Sequence, residues 1–223
     1  MVGQAQTAIK SAPLRPSIAP AANQPSPPLA GEGWIPLFDG RTLTGWKPTA
    51  FSGHGGIHCE EGLILMEVGN PFTGLNRTGN IPRINYEVSL DALRLSGSDF
   101  FCGLTLPSGD SCFSLILGGW GGSLVGISSL DGRDASENET TQTMDFENGR
   151  WYRIRLRVTE HRIEAWINDE KRINVATNDK RISMRPGDIE LSQPFGLCCW
   201  ETTAAFRQLH WRPVASPAGP APK

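Results

Sequence analysis

Long apolar runs are missing from this 223-residue chain. No stretch approaches the roughly 20 residues that a membrane-spanning helix needs, and Met1–Lys10 lacks the basic flank and apolar core of a secretory signal. An excess of one charge is missing too: the formal net charge is -2 and the pI is near 6.1. That balance removes the electrostatic footprint of a nucleic-acid binder, whose affinity rests on neutralising phosphates. Cysteine is sparse, with Cys 5 in the whole chain, whereas disulfide-built scaffolds are short and cysteine-rich. No CxxC spacing occurs, and the vicinal Cys198 and Cys199 would point to opposite faces of a strand. Neither a metal nor a cofactor is expected. Cys102 and Cys112 could face each other across a hairpin, although buried free thiols acting as small hydrophobes are the preferred reading. These absences leave a soluble globular domain with no membrane span and no nucleic-acid partner. Its location stays open, and an extracytoplasmic setting is compatible with the sequence.

Helix signals are scarce as well, and short apolar alternation takes their place. Tyr86, Val88 and Leu90 alternate with Glu87, Ser89 and Asp91, and Phe100, Cys102, Leu104 and Leu106 alternate with Phe101, Gly103 and Thr105. Phe113, Leu115 and Leu117 follow a turn at Pro107 to Asp110 and run into the glycine loop around Trp120. Period-two alternation over such windows marks half-buried strands. The clearest hairpin sets Ile154, Leu156 and Val158 against Ile163, Ala165 and Ile167, with Arg153, Arg155 and Arg157 on a solvated face. Glu164 can sit across from one of those arginines. Further strands are predicted at Arg172–Val175, Ile189–Leu191, Phe195–Trp200 and Ala205–Trp211. Many short strands and almost no helix predict an all-β sandwich of two antiparallel sheets. Pro- and Ala-rich sequence flanks it. Such segments bury too little apolar surface to offset their ordering entropy. The expected organisation is a disordered Pro-rich linker over residues 1–32, a β-sandwich over 33–214 and a disordered tail over 215–223.

At Gly33-Trp34-Ile35-Pro36-Leu37-Phe38-Asp39-Gly40-Arg41-Thr42-Leu43-Thr44-Gly45-Trp46 the chain resembles the opening of the 3-keto-disaccharide hydrolase domain family. Asn85-Tyr86-Glu87-Val88, the stretch from Gly149-Arg150-Trp151 to Trp166-Ile167-Asn168, and the closing Phe206-Arg207-Gln208-Leu209 resemble later motifs of the same family in order. The resemblance implies a concanavalin A-like jelly roll, the scaffold of many glucanases and lectins, and an activity on 3-keto sugars. Such chemistry asks for a general base, an acid for the leaving oxygen and often a Lewis acid. Where the family carries a Glu and a Gln on its central strands, this chain has Ser114 or a neighbour and Ile116. Towards the C-terminus, Cys198 and Cys199 stand in place of the family's polar motif. The opening motif itself reads as architecture, with Trp46 a packed end-cap of the sandwich.

Two carboxylates remain as candidate catalytic groups: Glu201, after the Trp200 strand, and Asp110, in a hairpin turn. A glycosidase pair must lie within about 5–10 Å, which requires their loops to converge; the plainer alternative is a turn Asp and a solvated Glu. His54 and His58 sit four apart among glycines that exclude a helix, so loop histidines are expected there rather than metal ligands. For binding, the alternation projects Phe101, Thr105, Ser114 and Trp200 onto an open sheet face, with Trp120 brought over its edge and Arg77 available for sugar hydroxyls. The expected function is a carbohydrate-active domain, hydrolase-like by descent, with its polar site largely replaced. The alternative is a non-catalytic glycan-binding or protein-interaction module of a larger protein, joined to neighbouring domains through the Pro-rich tails. A carbohydrate is the expected partner.

Overall fold

Alternation of apolar and polar residues dictates two stacked sheets, and the computed structural model, which describes residues 18–215, has them. Its strands run in chain order as β1 (Ile35–Pro36), β2 (Trp46–Pro48), β3 (Ile57–Glu60), β4 (Leu63–Met66), β5 (Phe72–Arg77), β6 (Tyr86–Gly97), β7 (Cys102–Ser108) and β8 (Ser111–Gly118). The second half adds β9 (Leu124–Ser128), β10 (Gln142–Thr143), β11 (Trp151–Val158), β12 (Arg162–Ile167), β13 (Glu170–Ala176), β14 (Gly196–Trp200) and β15 (Thr202–Pro213). The first sheet has the order β13-β12-β11-β6-β15-β4-β3, with β1 added to β15; the second has the order β10-β9-β8-β7-β14-β5-β2. All strand pairs within both sheets are antiparallel. The chain is therefore an all-β sandwich of jelly-roll type. No helix among the described residues is long and apolar enough to cross a membrane.

The inward rows are those the alternation marks. In β11 and β6 the register sets Ile154 beside Leu90, Leu156 beside Val88 and Val158 beside Tyr86. These pack in one core with Leu104, Leu106, Phe113, Leu115 and Leu117 from the second sheet. Trp46 closes the core at one end, 7% exposed, with Nε1 donating to Leu37 O at 2.8 Å and its ring edge-on to Phe195. Arg157 lies directly across from Glu164, 3.5 Å between Nη1 and Oε2.

Several expectations need correction. Ile189–Leu191 is no strand: it belongs to a 3-10 turn, Asp188–Ser192, which crosses the outer face of the second sheet instead of pairing with it. Pro186 and Gly187 precede it, and Gly187 at φ 122 turns the chain in a conformation that only glycine adopts freely. Cys102 and Cys112 are buried free thiols, as preferred; Cys102 pairs with Leu117 and Cys112 with Pro107, so the alternative of two opposed thiols drops out, and all five cysteines are free. The row of arginines is not a solvated face either, because it closes on buried Glu87 and Asp91.

Of the linker expected over residues 1–32, the structure describes residues 18–32. Residues 18–32 lie along the outer face of the first sheet, beginning with a short helix α1 (Ala19–Ala22). Ile18 and Ala21 are 4% and 5% exposed against Leu63, Leu65, Leu93 and Ala205. The segment is held by its carbonyls, which composition does not reveal. The remaining tail expectations, at 1–17 and 216–223, lie outside the described residues.

Candidate functional site

The second sheet's outer face is where the candidate binding residues converge. Outward from β14 and β5 come Cys198, Trp200 and Phe72, and from β8 come Cys112, Ser114 and Ile116. Most of this face is covered. Met184 lies over its centre, with Ser114 Oγ 3.9 Å from its Sδ, and Ile189 packs against the same apolar cluster. Asn76 staples the covering segment by donating from Nδ2 to Leu191 O at 2.7 Å and Gln193 O at 3.1 Å. Thr105 and Ser114 therefore project outward as expected, but they are 0% and 1% exposed and bonded to each other at 2.7 Å.

What remains open is a cavity of about 380 Å³ at one end of the face, inside the range of small-molecule sites. Phe72, Phe100, Ile116, Trp120 and Trp200 form its apolar walls, and Asp99, Ser128, Arg185 and Asp188 supply its polar groups. Trp200 meets Phe72 edge-on at 4.5 Å between ring centroids and Phe100 at 6.3 Å. Trp120 is 43% exposed, an unusual state for the largest side chain. Its loop achieves this by geometry: Trp120 is left-handed at φ 49 and is flanked by Gly118, Gly121 and Gly122, all at positive φ. A Cβ at Gly122 would meet Ser98 O at 2.9 Å, so glycine is required there. Asp99 fixes the loop, accepting from Phe100 N at 2.7 Å on one oxygen and Gly121 N at 3.3 Å on the other. Arg185 sits 5.6 Å from the Trp120 ring centroid and is paired with Asp134 at 2.7 Å.

Other expected site residues fall elsewhere. Phe101 is 0% exposed in the inter-sheet core, against Phe146 at 5.0 Å and Tyr152 at 5.9 Å. Its neighbour Phe100 takes the outward position. The alternation was extended one residue too far: β7 begins at Cys102, and the irregular backbone before it lets Phe101 and Cys102 face the same way. Arg77 ends β5 at the edge of the core, 5.7 Å from the Trp46 ring centroid, and donates to Gly45 O at 3.1 Å. Asp110 occupies the turn between β7 and β8, while Glu201, at φ 45, follows β14 beside Phe100. The 7 residues of β7 lie between these ends, at about 3.3 Å each roughly 20 Å. Asp110 and Glu201 are too far apart to share a glycosidic bond.

Asp99, Arg185, Asp188 and Ser128 were missed. Asp99 lay within a legible turn, but nothing local tied Arg185 and Asp188 to a strand 60 residues away. Burial pushes the Cys198 thiol on this face up to about 12 and raises that of Cys112 as well. Cys199, on the core side, is raised by burial too. Among the described residues no three His, Cys, Asp or Glu side chains cluster as a metal site would require. Asn76-Arg77-Thr78 and Asn138-Glu139-Thr140 fit the short Asn-x-Thr pattern of N-glycosylation, but both asparagines are committed, Asn76 as above and Asn138 through Nδ2 to Ile127 O at 2.7 Å.

Comparison with known proteins agrees with this frame. The model of the 3-keto-alpha-glucoside-1,2-lyase-like domain matches residues 33–212. No curated protein sequence matches the chain. Among solved structures, the Crh5 transglycosylase in complex with NAG is similar at a TM-score of 0.56 and 10% identity, covering 89% of this chain and 92% of that one. A Parabacteroides distasonis protein provisionally classed as a glycosyl hydrolase gives a TM-score of 0.53 at 14% identity, covering 82% and 94%. A β-1,3-1,4-glucanase from a mouse hindgut metagenome gives 0.50 at 9%, covering 76% and 93%. At these identities the likeness is one of fold.

Proposed function

The chain belongs to the family of 3-keto-alpha-glucoside-1,2-lyase-like domains, and on that premise we propose that its outer-face pocket binds a carbohydrate by aromatic stacking, without hydrolysing it. The observation that carries this reading is the contrast within the pocket. Its walls are Trp120, Trp200, Phe72 and Phe100, whereas its half-buried carboxylate, Asp99, is occupied with two backbone N–H groups. Sugar rings present apolar C–H faces that stack on such rings, while their hydroxyls find Asp188 and the outer edge of Arg185; Ser128 is 2% exposed and its Oγ donates to Asp134. Thr105 and Ser114, at the centre of the sheet, are sealed beneath Met184 and contribute nothing to a ligand.

A second reading rests on one observation: Asp99 and Asp188 line the same cavity and could serve as acid and base. One experiment separates the two. The chain is presented to an array of neutral oligosaccharides and, separately, to 3-keto-glucosides with product release followed by mass spectrometry. Saturable binding that Trp200→Ala removes, with no turnover, supports the binding pocket. Turnover abolished by Asp99→Asn or Asp188→Asn would establish the lyase reading instead.

A further inference from the structure

The most heavily built polar surface of the molecule lies on the opposite side, away from the pocket. Residues 18–34 cross β11, β6 and β15 on the outer face of the first sheet, over two buried carboxylates. Asp91, 1% exposed, receives Arg153 Nε on one oxygen and Arg207 Nε at 3.2 Å on the other. Glu87, 0% exposed, receives Arg157 Nε at 2.6 Å on one oxygen and Arg212 Nε at 2.6 Å on the other. Holding Nε fixes each guanidinium plane and leaves its outer N–H groups in a rigid fork.

Three of these forks end on backbone carbonyls of one segment. Arg207 donates to Gln24 O at 2.7 Å and Pro25 O at 3.0 Å, and Arg153 to Pro27 O at 2.8 Å. Arg212 donates to Ala30 O at 3.3 Å and Glu32 O at 3.0 Å, and Trp151 Nε1 to Ala21 O at 2.9 Å. Ser26 enters the same network, its Oγ 2.7 Å from Asp91 Oδ2 and 2.8 Å from Arg153 Nη2. The rings of Trp151 and Trp34 lie under the guanidiniums of Arg207 and Arg212, at 4.2 and 4.4 Å from their centroids.

The surface is thus rich in donors, and a Pro-rich segment is rich in acceptors. Pro25, Pro27 and Pro28 carry no N–H to leave unpaired, and an extended polyproline conformation directs its carbonyls outward without using them internally. The segment is exposed at Gln24, Pro25, Pro27 and Pro28, so what the face recognises is its row of carbonyls, which prolines hold in place at little entropic cost. We infer that the outer face of the first sheet is a receptor groove for an extended Pro-rich peptide, and that residues 18–34 are its ligand in cis. Because the groove reads carbonyls and prolines, the same segment supplied on a separate molecule takes the place of the tethered one.

The test replaces residues 18–32 of the full chain by a Gly/Ser sequence of equal length and adds a fluorescently labelled peptide of residues 18–34. The replaced chain is expected to bind it saturably in the micromolar range. The unaltered chain should bind at least 100-fold more weakly, because its own segment competes at an effective concentration in the millimolar range. A peptide keeping only Ile18, Ser26, Gly31, Gly33, Trp34 and the prolines, all else alanine, should bind within about threefold of the parent, because Gly31 and Gly33 hold positive φ and a Cβ at Gly31 would meet Arg212. Changing Pro25, Pro27 and Pro28 to alanine should weaken binding about tenfold. No binding to the folded replaced chain, or equal binding to both chains, would overturn the inference, as would loss of binding by the alanine-background peptide. Should the replaced chain be unfolded alone, saturating peptide must restore a cooperative thermal transition by mass action; no transition is equally decisive against the groove.

Discussion

The two outer faces of this sandwich share a core and differ in almost everything else. The first sheet turns outward a ladder of arginines closed on Glu87 and Asp91, sealed by residues 18–34. The second turns outward an apolar cluster, half sealed by Met184 and Ile189 and half open as an aromatic cavity. Inward rows of the two sheets are interchangeable in kind, because a packed core asks only for apolar volume. Outward rows are free to specialise, and here one has become a polar joint and the other a recessed pocket. The difference teaches where to look for function in such a fold. A charged surface whose arginine forks end on the backbone of the chain's own segment is already occupied, while an apolar surface with an exposed tryptophan is the place to look for a ligand.

Breaking the joint should have the largest effect. Asp91→Ala strands Arg153 and Arg207 in a buried site and removes the Ser26 contact, so a loss of about 3–5 kcal/mol in urea unfolding is expected. A loss under about 1 kcal/mol would mean the network is slack. Acid sharpens the same side of the comparison. Burial pushes the Glu87 carboxyl up, but hydrogen bonds from Arg212 and Arg157 outweigh it and hold it below the ordinary range. A folded-state value below the unfolded one gives stability that is present above the unfolded glutamate value, about 4.3, and lost as pH falls through the folded one. Unfolding midpoints should therefore drop below about pH 4.3, and Glu87→Gln should flatten that drop.

On the other face the expected effects are on binding rather than folding. Trp120→Ala should weaken a bound oligosaccharide at least tenfold, about 1.4 kcal/mol, while moving stability by less than about 1 kcal/mol, since the ring is nearly half exposed. Loss of the fold on that substitution would make Trp120 a packing residue. The smallest change is expected from Glu201→Gln and Asp110→Asn, each within about 0.5 kcal/mol of the parent in stability and binding. Both side chains are exposed, and they sit at opposite ends of β7.

The fold was legible because its inward rows repeat every second residue without interruption: β6, β7, β8, β11 and β12 could be read from Val88, Leu104, Leu115, Leu156 and Ile163. Reading failed where the backbone leaves that period. Phe101 and Cys102 face one way because the strand has not yet begun, and Ile189 belongs to a turn laid across a sheet. Trp120 and Trp200 were found by the same alternation and by their glycine loop, two signals that are local. Asp99, Arg185 and Asp188 join them only through tertiary packing. The segment before Trp34 was hidden for a different reason: its partners bind carbonyls, which every residue has.

Tryptophan itself distinguishes the two faces most directly. The chain has Trp 7, with Trp120 and Trp200 at the cavity and Trp34, Trp151 and Trp166 on the arginine side. Indole N–H signals in a nitrogen-15 correlation spectrum, assigned by single Trp→Phe variants, can be followed as a neutral oligosaccharide bound by the chain is titrated in. The cavity account expects Trp120 and Trp200 to shift with saturation while Trp34, Trp151 and Trp166 stay fixed. Shifts confined to Trp34, Trp151 or Trp166, with Trp120 and Trp200 unmoved, would contradict it.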